Sequence, residues 1–237
     1  MSSLEHDQNL SGKGHHQHIT IGVLALQGAF REHVEKLKSL AGVTVVEVRT
    51  SAQLESVDGL LIPGGESTAI ALIAEASGLL EPLRSFIRHP RKAVWGTCAG
   101  LIMMSNHVEG QKAGGQAVLG GFEISTARNY FGRQLDSFVA DTLTVPALAD
   151  GDRPFPAVFI RAPAVTAVHS PDVEVLASVP AKPTDAEHKE VIVAVRQGRL
   201  LGTAFHPELT DDARWHQFFV DMTRRAQAPT AADDSKA

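Results

Sequence analysis

Four short apolar runs, each followed by a turn and a stretch of helical character, fill the first hundred residues, and nothing else in the chain restricts its fold as strongly. The first, ITIGVLALQ from Ile19 to Gln27, is nearly continuous, as expected of a parallel strand buried on both faces. Gln27-Gly28 ends it. Phe30, Val34, Leu37 and Ala41 then recur at helical spacing among Arg31, Glu32, Lys36 and Lys38. Val43 to Val48 reads as a second strand and Ser51 to Ser56 as a short turn or helix. Asp58 to Pro63 gives the third strand, leading through Gly64-Gly65-Glu66-Ser67-Thr68 into a helical stretch over residues 69–80; Ser67 or Thr68 is placed to cap it. Pro82 starts a further helical turn through Ile87. Ala93-Val94-Trp95 is the fourth strand, and Leu101 to Met104 supply helix-forming residues. This alternation calls for an α/β architecture, a parallel sheet covered on both sides by helices, with any ligand beyond the C-terminal ends of the strands.

Beyond Asn106 the pattern weakens. Gly110 to Gly121 reads as surface loop, and strands are expected at Phe122 to Ser125, Phe138 to Val145, Ala157 to Ile160 and Val173 to Val179. Glu190 to Arg196 and Arg199 to Phe205 form a hairpin through Gln197-Gly198. Strands so short and close together predict an antiparallel edge added to the parallel sheet. A last helix, Asp211 to Arg225, carries Trp215, Phe218, Phe219 and Met222 as a core stripe. One domain over 19–226 is expected, between a disordered leader (1–18) and a disordered tail (227–237). The leader holds His6, His15, His16 and His18, but without Cys or acidic partners at ligand spacing no metal site is expected there.

Cys98 stands between the fourth strand and its helix, in Gly96-Thr97-Cys98-Ala99-Gly100. A strand that turns sharply into a helix holds the turn side chain out above the sheet, and a Cβ two residues before or after would crowd so tight a turn. The helix start also brings backbone N–H groups and partial positive charge to the sulfur, favouring the thiolate. A lone cysteine is more often a small core residue; here the turn makes it a candidate nucleophile. Gly64-Gly65, taken alone, is a tight turn, yet it too lies at a strand's C-terminal end and should share one crevice with Cys98. The second strand of the hairpin ends in Phe205-His206-Pro207-Glu208. Residues two apart on extended backbone point the same way, so Glu208 can fix the His206 tautomer and stabilise its imidazolium. Arg128, in Arg128-Asn-Tyr-Phe-Gly-Arg133-Gln134, is either a solvated loop cation or a two-pronged carboxylate holder.

Composition removes several alternatives. A net charge of -5 without a run of Lys or Arg gives no reason to expect nucleic acid. One cysteine permits no internal disulfide, which fits a reducing cytoplasm. The N-terminal residues lack the apolar core of a signal peptide and no later run is long enough to span a bilayer, so a soluble, intracellular protein is expected.

With the Cys98 and His206-Pro-Glu208 motifs the chain resembles the class I glutamine amidotransferases. Within them IGVLALQGAFREH (21–33), PGGEST (63–68), RNYFGRQLDSF (128–138), FIRAP (159–163) and FHPEL (205–209) are similar to the glutaminase subunit of pyridoxal 5'-phosphate synthase. The resemblance runs colinearly from about Ile19 to Met222. It implies a three-layer, flavodoxin-like α/β fold whose mostly parallel sheet has antiparallel edge strands. It makes Cys98, His206 and Glu208 the triad and gives Gly65, Glu66, Ser67, Arg128, Ile160 and Arg161 contact with L-glutamine. Gly64, Gly65 and Ala99 are the expected source of oxyanion donors. No cofactor and no metal are implied. The reaction would be hydrolysis of glutamine to glutamate and ammonia, with a separate barrel-shaped synthase subunit as partner. The departures, namely the leader, Lys112 to Ala117 and Pro180 to His188, read as surface elaboration. Rival readings are a γ-glutamyl hydrolase or cysteine peptidase on the same scaffold, and a non-catalytic interaction subunit.

Overall fold

All four apolar runs form strands in the computed structural model, which describes residues 17–110, 115–132, 137–182, 184–187 and 189–228. β1 (Ile19–Leu24), β2 (Val43–Val48), β3 (Gly59–Ile62) and β4 (Ala93–Thr97) pair in the order β2-β1-β3-β4, all parallel. Every residue of β3 and β4 is buried, which is why these strands read as continuous apolar runs instead of alternating ones. Between them lie α1 (Phe30–Lys38), α2 (Ser51–Glu55), α3 (Ser67–Ala76), α4 (Leu80–Arg88) and α5 (Ala99–Met104). α1 stops at Lys38, so Ala41 falls outside it and is exposed.

The remaining strands are β5 (Ser105–Glu109), β6 (Phe122–Ala127), β7 (Phe138–Leu143), β8 (Phe155–Phe159), β9 (Ala164–Val168), β10 (Val173–Pro180), β11 (Glu190–Gln197) and β12 (Leu200–Thr203), followed by α6 (Arg214–Gln227). β12 lies beside β4 and parallel to it, so the parallel order is β2-β1-β3-β4-β12. The antiparallel strands continue the sheet from there as β11, β9 and β6, with β10 also on β11 and β5 closing the edge parallel to β6. The hairpin is therefore interior to the sheet. Two strands went unread: β5, whose sequence SNHVE is largely polar, and the short β9 that follows Arg161-Ala162-Pro163. β7 and β8 form a small sheet of their own.

Strand alternation assigns the helix layers. The Trp95 ring meets His33 of α1 and His216 and Phe219 of α6, whereas a Cβ on neighbouring Gly96 would point at Gly100 of α5, 2.5 Å away. Successive residues face opposite sides, so α1 and α6 cover one face and α5 the other. Trp95, Trp215, Phe205 and Phe219 are fully buried between sheet and helices. No helix among the described residues is long and apolar enough to cross a membrane. The leader and tail lie, except for their inner ends, outside the described residues, as do residues 111–114 and 133–136 of the loops singled out above.

Candidate active site

Cys98 has φ 47° and ψ −101°, a left-handed turn between β4 and α5 that an L-residue adopts only under constraint. The constraint is visible on both sides. A Cβ on Gly96 would sit 2.5 Å from the Gly100 backbone, and one on Gly100 would sit 2.1 Å from the Ile62 carbonyl oxygen. Both glycines let the strand, the turn and the helix pack at backbone distance. The Cys98 N–H donates to the Thr203 carbonyl at 2.8 Å, extending the β4 and β12 ladder by one rung. That rung puts the nucleophile's backbone three residues from His206.

His206 is delivered differently from the sequence expectation. β12 ends at Thr203, and Pro207–Leu209 is a single 3₁₀ turn, so the His206 and Glu208 side chains meet across a turn and not along extended backbone. Proline at the start of that turn fixes its φ. The contact is the expected one: the ring nitrogen Nδ1 of His206 lies 2.8 Å from Oε1 of Glu208. Its other partner is Cys98. Burial alone disfavours an imidazolium, but the hydrogen bonds to Cys98 and Glu208 and their negative charge outweigh it, and His206 is pushed up to about 10. The His206 N–H donates to the Val158 carbonyl at 2.8 Å, tying the turn to β8. Glu208 is buried, and its Oε2 lies 3.3 Å from Nε2 of His33, outside the angular range of a good hydrogen bond.

Above Cys98 opens a cavity of about 250 Å³. It is smaller than the roughly 300–1,000 Å³ of sites for drug-sized ligands and suits a single amino acid. Gly65, Glu66, Ser67, Arg128, Ile160 and Arg161 all line it together with Cys98, Ala99 and His206. Gly64 packs beneath: a Cβ there would meet His206 Cε1 at 2.6 Å and Cys98 Cβ at 3.4 Å, so the glycine pair is a wall of the site as well as a turn. Some of these polar groups already have partners. Glu66, and not Ser67 or Thr68, caps α3, accepting from the N–H groups of Thr68 and Ala69 at 3.1 and 2.7 Å. Burial opposes its ionisation, but these bonds and the Arg128 charge hold its carboxyl below the usual range. Arg128 Nη2 lies 3.3 Å from Glu66 Oε1, and Ser67 Oγ donates to Gln116 Oε1 at 3.0 Å.

Three lining residues were not singled out from sequence: Gln27, Ile102 and Asn129. Gln27 accepts the Glu66 N–H at 2.8 Å and ends the first strand run, at the same sheet edge as Cys98, which was the signal available. Asn129 and Arg161 have φ 50° and 45°. Of four non-glycine residues with positive φ among those described, Cys98, Asn129 and Arg161 line this one cavity, the clustering of backbone strain that functional sites show. Among the described residues no group of three or more His, Cys, Asp or Glu is placed to hold a metal ion.

A family model described as the SNO glutamine amidotransferase family matches residues 23–225. The chain belongs to that family. A curated Arabidopsis thaliana protein named "Probable pyridoxal 5'-phosphate synthase subunit PDX2" is 47% identical over 92% of this chain and 91% of its own. An Acidothermus cellulolyticus protein named pyridoxal 5'-phosphate synthase subunit PdxT is 50% identical over 85% of this chain and 92% of its own. A crystal structure titled as a glutamine amidotransferase superimposes with a TM-score of 0.72 at 42% identity, covering 86% of this chain and 98% of that one. The α/β sheet with its antiparallel extension is thus the fold of this amidotransferase family.

Proposed function

We propose that the chain hydrolyses L-glutamine to L-glutamate and ammonia, with Cys98 as nucleophile, His206 as acid and base and Glu208 as its orienter. The ammonia passes to a barrel-shaped synthase subunit that builds pyridoxal 5'-phosphate. One observation carries the chemistry: the left-handed turn at Cys98 meets His206, and His206 is held from behind by Glu208. The family membership and the names of the relatives support the substrate and the pathway.

In this reading the Cys98 thiolate attacks the side-chain amide carbon of glutamine. The oxyanion is met by backbone N–H groups at Ala99 and the Gly64-Gly65 loop. His206, held cationic near neutrality, gives its proton to the departing nitrogen, and ammonia leaves with a γ-glutamyl thioester remaining on Cys98. His206, now neutral, takes a proton from water as it attacks the thioester, and glutamate leaves. Arg128, Arg161, Glu66, Ser67, Gly65 and Ile160 form the glutamine cradle. Ammonia released into water would be trapped mostly as ammonium, which cannot attack a carbonyl, so transfer to a docked synthase subunit through a sheltered route follows from the product's chemistry. A lone cysteine kept as a thiol suits the reducing cytoplasm.

The test is Cys98→Ala in the full chain, assayed for glutamate release with and without the cognate synthase subunit. The variant is expected to fold and release none. Turnover at the wild-type rate would overturn the mechanism, and partner-independent hydrolysis of γ-glutamyl peptides would move the chain to the hydrolase reading.

A further inference from the structure

Behind Glu208 lies a pair of imidazoles that the mechanism above does not use. His33 of α1 and His216 of α6 are fully buried, and Nδ1 of His33 lies 2.9 Å from Nε2 of His216. Nε2 of His33 faces two oxygens, Thr97 Oγ1 at 3.3 Å and Glu208 Oε2 at 3.3 Å. Nδ1 of His216 has no hydrogen-bond partner among the described residues.

These contacts leave one economical arrangement of protons. If His33 carried its proton on Nδ1, its bare Nε2 lone pair would face a buried carboxylate oxygen. His216 would then have to accept through Nε2 and bury its Nδ1–H without an acceptor, a cost of about 1–3 kcal/mol. With the proton on Nε2, His33 donates to Thr97 Oγ1, brings the polar edge of that N–H within 3.3 Å of Glu208 Oε2 without an aligned hydrogen bond, and accepts from His216 Nε2–H. On His216 only an acceptor lone pair is then left unpaired, and no buried donor. Burial, followed by the repulsion an imidazolium there would meet from His216 and His206 in their protonated forms, holds His33 well below the ordinary imidazole value, and burial with the Lys36 charge takes His216 down to about 3. Both rings are neutral. A neutral ring edge confines a carboxylate without compensating its charge, whereas a lysine or arginine there would compensate it.

We propose that His33, itself oriented by His216 and Thr97, is a positioning residue of the triad, confining the Glu208 carboxylate by the close approach of its Nε2–H edge to Oε2 while leaving the full negative charge of that carboxylate to His206. This rests on the glutaminase reading, and its test separates the two. In full-length protein assayed for glutamate release under conditions where the wild type turns over, His33→Leu is expected to lower kcat about tenfold to a hundredfold, the size of loss that follows removal of the partner orienting a metal-ligating side chain from behind. KM should move less than about threefold, the pattern of an interaction felt at the chemical step. His33→Gln, which restores a neutral N–H donor, should recover most of the loss. In the wild type, imidazole ¹⁵N spectra should show His33 protonated on Nε2 alone. A folded His33→Leu with wild-type kcat, or a wild-type His33 protonated on Nδ1, overturns the proposal. If the leucine variant does not fold, the wild-type tautomer decides. Either outcome is independent of Cys98→Ala, which tests the glutaminase reading itself.

Discussion

The two halves of the site are anchored by different means. On one side Cys98 is held by backbone geometry: a left-handed turn wedged between glycines that approach neighbouring backbone within a Cβ's reach. On the other side His206 is held by polar partners, Cys98 in front and Glu208 behind, with the turn hung from β8 by one backbone hydrogen bond. The first kind of anchoring does not respond to pH and tolerates no added volume. The second is tunable by charge. Gly100→Ala breaks the first. Alanine is favoured over glycine in a helix by about 1 kcal/mol, but its Cβ would lie 2.1 Å from the Ile62 carbonyl oxygen, a backbone atom that moves only if β3 does. Overpacking wins: a destabilisation of about 3 kcal/mol or more is expected, with loss of glutamate release. An unchanged urea midpoint in that variant would show that the turn is not sterically locked.

Glu208→Gln addresses the other side. The amide can still accept from the His206 ring, so the geometry is kept and the charge removed. Glutamate release should fall by about a hundredfold or more, as when a triad carboxylate becomes an amide. The pH dependence of stability should change too. His206 titrates in the folded chain at about 10, above its ordinary 6.5. Protonation therefore favours the folded state, a contribution fully present below about pH 6.5 and lost as pH climbs towards 10. Without the Glu208 charge that loss should be complete at lower pH. Denaturation midpoints followed from pH 6 to 10 would show it, and superimposable curves for the two proteins would mean that the charge does not hold the imidazole.

The same contrast explains what could be read in the amino-acid order. The Cys98 half is local: β3 and β4 are continuous apolar runs with their turns and helices immediately after, and Gly96 and Gly100 sit within two residues of the sulfur. The His206 half depends on partners far away in the chain. That β12 would enter the sheet beside β4 is a matter of long-range pairing that no local pattern announces. The residues themselves do not distinguish the 3₁₀ turn at Pro207 from extended backbone, because His206 stands just outside the turn and still meets Glu208. β5 escaped because its residues are mostly polar at the sheet's edge. His33 and His216 each left a sign, an imidazole on the apolar face of an amphipathic helix: His33 lies in line with Phe30 and Leu37, and His216 is buried with Phe219 and Val220. Only packing α1 against α6 shows that the two rings meet behind Glu208.

A carboxylate at the rim sharpens the comparison, because polar anchoring should weaken as water gains access. Glu66 caps α3 and touches Arg128, yet its side chain is 47% exposed where that of Glu208 is 0%. Glu66→Gln keeps one acceptor for the helix N–H groups and removes the charge that favours a helix start. The pair with Arg128 is screened by solvent and adds little. A loss of about 0.5–1 kcal/mol is expected, far below the Gly100→Ala effect. Because the Glu66 carboxyl titrates below its ordinary 4.5 in the folded chain, its contribution is present above that pH and fades as pH falls through the folded value. The gap between wild type and variant should therefore close in acid, whereas the effect of Glu208→Gln on His206 shows in the alkaline range. If Glu66 also holds glutamine, KM rises severalfold while kcat changes less, since a contact equal in ground and transition states affects binding alone. A fall in kcat matching that of Glu208→Gln would instead place Glu66 among the polar anchors of the chemistry, and exposure would no longer separate the two carboxylates.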